Sequence, residues 1–216
     1  MPSKSKSKSK PPARPAPPPR IVSGSDGQVQ IQTARLLLRG AQIQHANELH
    51  QAFGDPEVMK YWSTAHHASL KQTEEWLETM TKSPENGKTD FIISYEGTAI
   101  GKVGIWTPSH TNDLAEPPGG EIGFLLAREH HRKGFMTEAL TAVLPYFVNQ
   151  LGYERITADV DPKNDASIDL LMKLGFRVIG RREKTFEING EWMDSLDLEL
   201  KVPSKVVETP ASGVLK

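Results

Sequence analysis

Apolar residues recur along positions 31–201 with two different periods, and the changes of period outline the elements. Residues 31–39 read as a strand with Leu36, Leu37 and Leu38 at its centre. Residues 44–53 set Leu49 and Phe53 at helical spacing, and Gly54-Asp55-Pro56 ends that helix. Ser69, followed three residues later by Gln72, makes a capping box for a helix carrying Leu70, Trp76, Leu77 and Met80. Residues 91–96 and 98–106 predict paired strands across a Glu96-Gly97 turn. Residues 107–119 are polar and rich in Pro and Gly, a loop placed to border a substrate site. A strand at 120–127, a helix at about 134–149 and a strand at 154–160 follow. A helix at about 165–174, capped by Asn164 or Asp165, stops at Gly175, and 176–188 with 191–201 form a hairpin over Asn189-Gly190. Strands in runs interspersed with helices predict a mixed α/β or α+β sheet, and no internal repeat is present.

Outside this patterned region the composition changes. Residues 1–28 alternate Ser with Lys and then turn Pro-rich, too poor in apolar surface to fold. They predict a disordered arm: a solubilising leader, or a tether to a larger assembly, nucleic acid or a protein groove. Residues 203–216 predict a short flexible tail, leaving one folded domain at 29–202. The first 20 residues hold six cations and no acid, so the net charge of −1 leaves −7 on the remainder. A body of that sign is not a nucleic-acid binder on bulk electrostatics.

The chain has no cysteine, which excludes disulfides, thiolate metal sites and a cysteine nucleophile. No apolar run approaches the roughly 18 residues of a membrane span, and the N-terminus lacks the apolar core of a signal peptide. A cytoplasmic address, with the nucleus as a further one, is expected, without membrane association. His66-His67 and His130-His131 lack the spacing of a metal site, and no metal is expected. Trp62, Trp76, Trp106 and Trp192 are irregularly spaced and read as core or wall residues.

The candidate chemistry lies at 121–140, where an apolar strand enters a short basic loop that opens a helix. A helix start carries unpaired N–H groups and the positive end of the helix dipole. Residues 132–137 therefore present donors to an anion, most simply a pyrophosphate; Gly134 lets the backbone approach, and Arg132 and Lys133 add charge. Glu138, one turn in, reads as a dipole partner with a structural role.

Glu121-Ile-Gly-Phe-Leu-Leu, then His131-Arg-Lys-Gly-Phe-Met-Thr-Glu-Ala-Leu140, Asn164-Asp-Ala-Ser167 and Lys173-Leu-Gly-Phe176 together resemble the GNAT N-acetyltransferase superfamily. Thr33-Ala-Arg-Leu-Leu-Leu-Arg39 is similar to its RimJ/RimL branch. The resemblance covers residues 31–201 and implies a mixed, mostly antiparallel sheet flanked by helices, with a V-shaped cofactor cleft between the fourth and fifth strands. It implies acetyl-CoA in that cleft: main-chain groups of Phe124, Leu125 and Leu126 along the pantetheine, His131, Arg132, Lys133, Gly134, Phe135, Met136 and Thr137 around the pyrophosphate, and Asn164 on the other wall. His131 and Met136 depart from the superfamily loop pattern Gln/Arg-x-x-Gly-x-Gly/Ala, but backbone donors survive both changes. Many members place a tyrosine acid where this chain has Leu171.

The implied reaction is direct attack of an amine on a thioester in a ternary complex. A backbone N–H near Leu125 or Leu126 is the expected oxyanion donor. Glu121 is the candidate base, directly or through water, set against an ordinary strand-end carboxylate. Ser167 is the candidate donor to the thiolate, set against a helix-start residue bonding its local backbone. Tyr61 and Trp62 are candidate acceptor-pocket residues, since that region caps the substrate cleft in the family. The expected acceptor is a protein or peptide N-terminus, with a small amine (an antibiotic, polyamine or amino-acid derivative) as the alternative. A non-catalytic CoA-binding module is the reading from a different class. Either a monomer or a homodimer is expected.

Overall fold

Residues 17–24, 27–82, 88–107 and 119–202 are described by the structure, a computed structural model. The predicted tail at 203–216, and most of the predicted arm and of the 107–119 loop, lie outside the described residues. Within the predicted arm, however, β1 (Arg20–Ser23) pairs antiparallel with β2 (Val29–Gln32). All four β1 residues are exposed, so no apolar alternation marks the strand in the sequence.

The single strand expected at 31–39 is two strands, β2 and β3 (Leu36–Gly40), joined by a tight turn. Thr33 makes the turn: its N–H donates to the Leu36 carbonyl at 2.9 Å, and its hydroxyl accepts from the Leu36 N–H at 2.9 Å. A 3-10 turn, Ile43–His45, leads into α1 (Ala46–Phe53). Gly54-Asp55-Pro56 ends α1 and at once starts the short α2 (Pro56–Met59), because the Asp55 carboxylate accepts from the Glu57 N–H and Pro56 suits the first helical turn. α3 (Leu70–Thr81) begins at the capping box, with Ser69 accepting from the Gln72 N–H and the Gln72 side chain from the Ala68 N–H.

β4 (Lys88–Tyr95), β5 (Thr98–Trp106) and β6 (Gly119–Leu126) continue antiparallel from β3. α4 (Phe135–Asn149) then crosses to β7 (Arg155–Val160), which runs parallel to β6. α5 (Asp165–Lys173) ends where Gly175, at φ 96, lets the Phe176 N–H return to the Leu171 carbonyl. β8 (Arg177–Ile188) and β9 (Glu191–Lys201) close the chain, and the sheet order is β1-β2-β3-β4-β5-β6-β7-β9-β8. The mixed, mostly antiparallel sheet flanked by helices matches the expected fold class.

Successive strand residues face opposite sides of the sheet, so the strands feed two cores. Phe91, Ile93, Val103, Ile105, Ile122, Ile156 and Leu198 pack with Phe135, Leu140, Phe147 and Leu171 of α4 and α5. Their neighbours Ile92 and Leu125 turn to the other face and pack with Leu49 and Phe53 of α1 and Leu77 of α3.

The register of β6 on β7 stops after three pairs, Gly119 with Arg155, Gly120 with Ile156 and Glu121 with Thr157. Beyond Glu121 the two strands diverge. This is the predicted cleft. It lies between the sixth and seventh strands of the chain, because β1 and β2 precede the strand that counts as first in the family pattern.

Candidate active site

β6 supplies one wall of the split. The Leu125 carbonyl is turned towards β5, lying 2.2 Å from the position a Cβ on Gly101 would take, so a side chain at Gly101 would collide with it. Main-chain groups alternate in direction along a strand. With Leu125 turned to β5, those of Phe124 and Leu126 point to the open edge. The ring of His131 confirms that direction, meeting the Leu126 carbonyl through Nε2 at 2.9 Å. His131 thereby ties the basic loop to the end of the strand.

The loop is curled by two left-handed residues, Arg132 at φ 58 and Gly134 at φ 76. Gly134 is the N-cap of α4 and brings no side-chain cap. The first N–H groups of the helix therefore have no intrahelical partner and no capping oxygen. Arg132 and Lys133 are exposed, as is Thr137, whereas Phe135 and Met136 bury their side chains in the core. Only the main chain of Phe135 and Met136 is available to a ligand. An uncapped helix start with two exposed cations is the donor set a pyrophosphate needs, so the residues present fit the phosphates of acetyl-CoA.

Glu138 anchors this loop to the β2–β3 turn. Its Oε1 accepts from the Thr33 hydroxyl at 2.5 Å and from the Arg35 N–H at 2.9 Å, and its Oε2 accepts from Arg35 Nε at 2.6 Å. Burial opposes the charge, but these hydrogen bonds together hold the Glu138 carboxyl below its ordinary pKa. The structural role read for Glu138 stands, through partners more distant than the helix dipole.

Glu121 sits where β6 and β7 part. Burial pushes its carboxyl up to about 7; Asp159 pushes in the same direction, Arg182 opposes it, and Asp197 adds a smaller upward push. These neighbours come from β7, β8 and β9. Register sets Thr157 opposite Glu121 and Asp197 opposite Asp159, so all four acidic and basic groups share one face of the sheet. Nothing local in the sequence brings them together.

The same face carries an aromatic wall. Trp106 is opposite Glu121 in the β5–β6 register, and its ring lies across Gly123, where an added Cβ would come within 2.9 Å of Cη2. A Trp62 carbon is 3.8 Å from the same point. Trp62 also meets Phe53 and Trp76 edge-on, and Lys102 Nζ lies 4.8 Å from the Trp76 ring centre and 5.7 Å from that of Trp62. Beneath these rings Lys102 forms a buried ion pair with Asp90 at 2.7 Å. Of the two predicted pocket residues, Trp62 reaches this wall; Tyr61 is half-buried and lies under the Lys60 ammonium, with centroid distance 5.3 Å.

On the opposite wall Asn164 is the N-cap of α5, its Oδ1 accepting from the Ser167 N–H at 3.2 Å. That bond uses the Ser167 main chain and leaves the role of its hydroxyl undecided between the two readings. Leu171 has no exposed surface and packs in the core, so no proton donor replaces the family tyrosine at that position. Among the described residues no group of three or more His, Asp or Glu side chains is placed to hold a metal ion. None of the described helices is long and apolar enough to cross a membrane.

Residues 35–177 match the Acetyltransferase (GNAT) domain family, and the chain belongs to that family. It is 30% identical over 167 residues to an uncharacterized N-acetyltransferase, p20, of Bacillus licheniformis, covering 76% of this chain and 91% of that protein. It is 23% identical over 181 residues to the spermidine N(1)-acetyltransferase of Escherichia coli, covering 83% and 94%. Among solved structures, a RimL ribosomal L7/L12 α-N-protein acetyltransferase superimposes with TM-score 0.70 at 18% identity, over 85% of this chain and all of that one. A spermidine N-acetyltransferase of Vibrio cholerae, in complex with CoA and spermine, superimposes with TM-score 0.66 at 22% identity, over 78% and 96%. The protein is an N-acetyltransferase by family.

Proposed function

We propose that this enzyme transfers an acetyl group from acetyl-CoA to the α-amine of a protein or peptide N-terminus, with Glu121 as general base. The observation that carries this reading is the Glu121 carboxyl at the head of the split, with its pKa near 7. A base so poised is matched to an α-amine, whose pKa is roughly 7.7–8.0, far better than to a lysine side chain at about 10.4.

Acetyl-CoA supplies a thioester carbonyl activated for attack. The loop at 132–137 would hold its phosphates, main-chain groups of Phe124 and Leu126 its pantetheine, and Asn164 would approach from the far wall. The amine nitrogen bonds to the carbonyl carbon, the C–S bond breaks, and sulfur leaves as thiolate with the bonding pair. Glu121 takes the amine proton, directly or through a water. The Leu126 N–H on the open edge is the oxyanion donor in this reading. A thiol with a pKa near 8.5 needs little protonic help to leave, which suits a site with Leu171 in place of a tyrosine. Trp62 and Trp106 would flank the incoming amine.

A small polyamine is the second reading, favoured by Glu121, Asp159 and Asp197, three carboxylates grouped with Arg182 beside the split. CoA release from acetyl-CoA, measured against N-terminal peptides, lysine peptides, polyamines and aminoglycosides, separates the two. Turnover confined to free α-amino peptides supports the N-terminal reading; turnover on spermidine alone replaces it with the polyamine reading. CoA binding without turnover on any acceptor would leave a non-catalytic module.

A further inference from the structure

The Arg35 side chain stands at the mouth of the phosphate loop, although the two are about a hundred residues apart in sequence. Its Nε donates to Glu138 Oε2 at 2.6 Å and its Nη1 to the Lys133 carbonyl at 3.0 Å. The guanidinium carbon lies 4.4 Å from the centre of the Phe135 ring. Nη2 is 3.5 Å from where a Cβ on Gly134 would sit. The side chain is 42% exposed.

A guanidinium is a rigid fork of five donors that matches phosphate oxygens in pairs. Here a carboxylate, a main-chain carbonyl and an aromatic face fix the fork on three sides, while Nη2 finds no protein acceptor among the described residues. That nitrogen is directed at the glycine where the backbone is barest. A strut serving the fold alone would not require an arginine presenting its last two N–H groups beside the uncapped helix start. Charge agrees: Arg35, Arg132 and Lys133 outnumber Glu138, so the loop mouth stays positive with the ion pair formed.

We infer that Arg35 is a phosphate-binding residue of this enzyme's acetyl-CoA site, with Glu138 as the positioning residue that aims it. The inference rests on the reading of residues 132–137 as the phosphate cradle. A charge-assisted hydrogen bond of this kind is worth about 1.5–3 kcal/mol, or roughly a tenfold to hundredfold change in affinity.

The test is calorimetric titration of CoA into the wild-type protein, Arg35→Gln and Arg35→Lys, with melting temperatures recorded alongside. It needs no acceptor, so failure of the amine assignment leaves it intact. Arg35→Gln is expected to weaken CoA at least tenfold, and Arg35→Lys, which keeps the charge and loses the fork, by an intermediate factor. In parallel, the affinity for phosphate-free pantetheine, titrated in the same way, should stay within about twofold of wild type in both variants. Unchanged CoA affinity in Arg35→Gln overturns the inference. So does an equal loss of affinity for CoA and for pantetheine, which would mark Arg35 as a strut. Should Arg35→Gln fail to fold, the Arg35→Lys comparison decides in the same way.

Discussion

Arg182 grips Asp197 through two hydrogen bonds, Nε to Oδ2 at 2.8 Å and Nη2 to Oδ1 at 2.7 Å, and reaches Asp159 Oδ2 at 2.9 Å with the same Nη2. Burial is the main cause of the raised Glu121 pKa, and this arrangement adjusts it from a distance. The two aspartates raise the Glu121 pKa and the arginine lowers it. If Glu121 is the base, kcat/KM rises with pH through a limb near 7. Arg182→Gln should move that limb to higher pH and Asp159→Asn to lower pH. Limbs that coincide in all three proteins would remove Glu121 from the proton transfer.

The same carboxyl links stability to pH. An unfolded glutamate ionises at its ordinary 4.5, whereas the folded Glu121 holds its proton to about 7. The raised pKa stabilises the fold fully below about 4.5, and this contribution is lost as pH rises through 7. Glu121→Gln should therefore melt higher than wild type at pH 8, on the order of a few degrees, and close to it at pH 4.5. A melting difference independent of pH would contradict the burial of this charge.

Gly134 tests the cradle. Its φ of 76 is a left-handed conformation that costs a non-glycine residue about 1–3 kcal/mol, more for a β-branched one. An added Cβ meets only Arg35 Nη2, at an ordinary 3.5 Å, so the penalty is backbone strain rather than collision. Gly134→Val should raise the acetyl-CoA KM roughly tenfold and leave the acceptor KM alone. An unaltered acetyl-CoA KM would place the phosphates elsewhere.

Gly123 tests the acceptor wall in the opposite sense. A Cβ there comes within 2.9 and 3.2 Å of the Trp106 ring, which must move away from its place beside Glu121. Gly123→Ala should raise the acceptor KM several-fold while the acetyl-CoA KM holds. Steady-state kinetics with each substrate varied in turn decides this; an acceptor KM that stays put would exclude Trp106 from the acceptor site.

Features written in neighbouring residues were legible in the sequence. The Ser69/Gln72 cap, the Asn189-Gly190 turn, the strand-loop-helix at 121–140 and the position of Glu121 at a strand end all needed only local pattern. What stayed hidden depends on register or on distance. Thr33 splits the stretch at 31–39 by bonding Leu36, and apolar residues on both sides of it, Ile31 before and Leu36 after, mask the turn. Thr33 and Arg35 find Glu138 across 105 and 103 positions. Asp159, Arg182 and Asp197 meet beside Glu121 only because β9 inserts between β7 and β8. Phe135 and Met136 read as loop donors, yet the first turn of α4 drives both side chains inward.

In the proposed reaction an α-amine receives the acetyl group while Glu121 removes the proton. Its most direct test is incubation of wild type and Glu121→Gln with acetyl-CoA and a peptide carrying both a free N-terminus and an internal lysine, followed by tandem mass spectrometry. The predicted result is a single acetyl group on the α-nitrogen, formed at a rate lower by roughly 10²–10⁴ in Glu121→Gln. Acetyl on the lysine side chain, or equal rates in the two proteins, would contradict it.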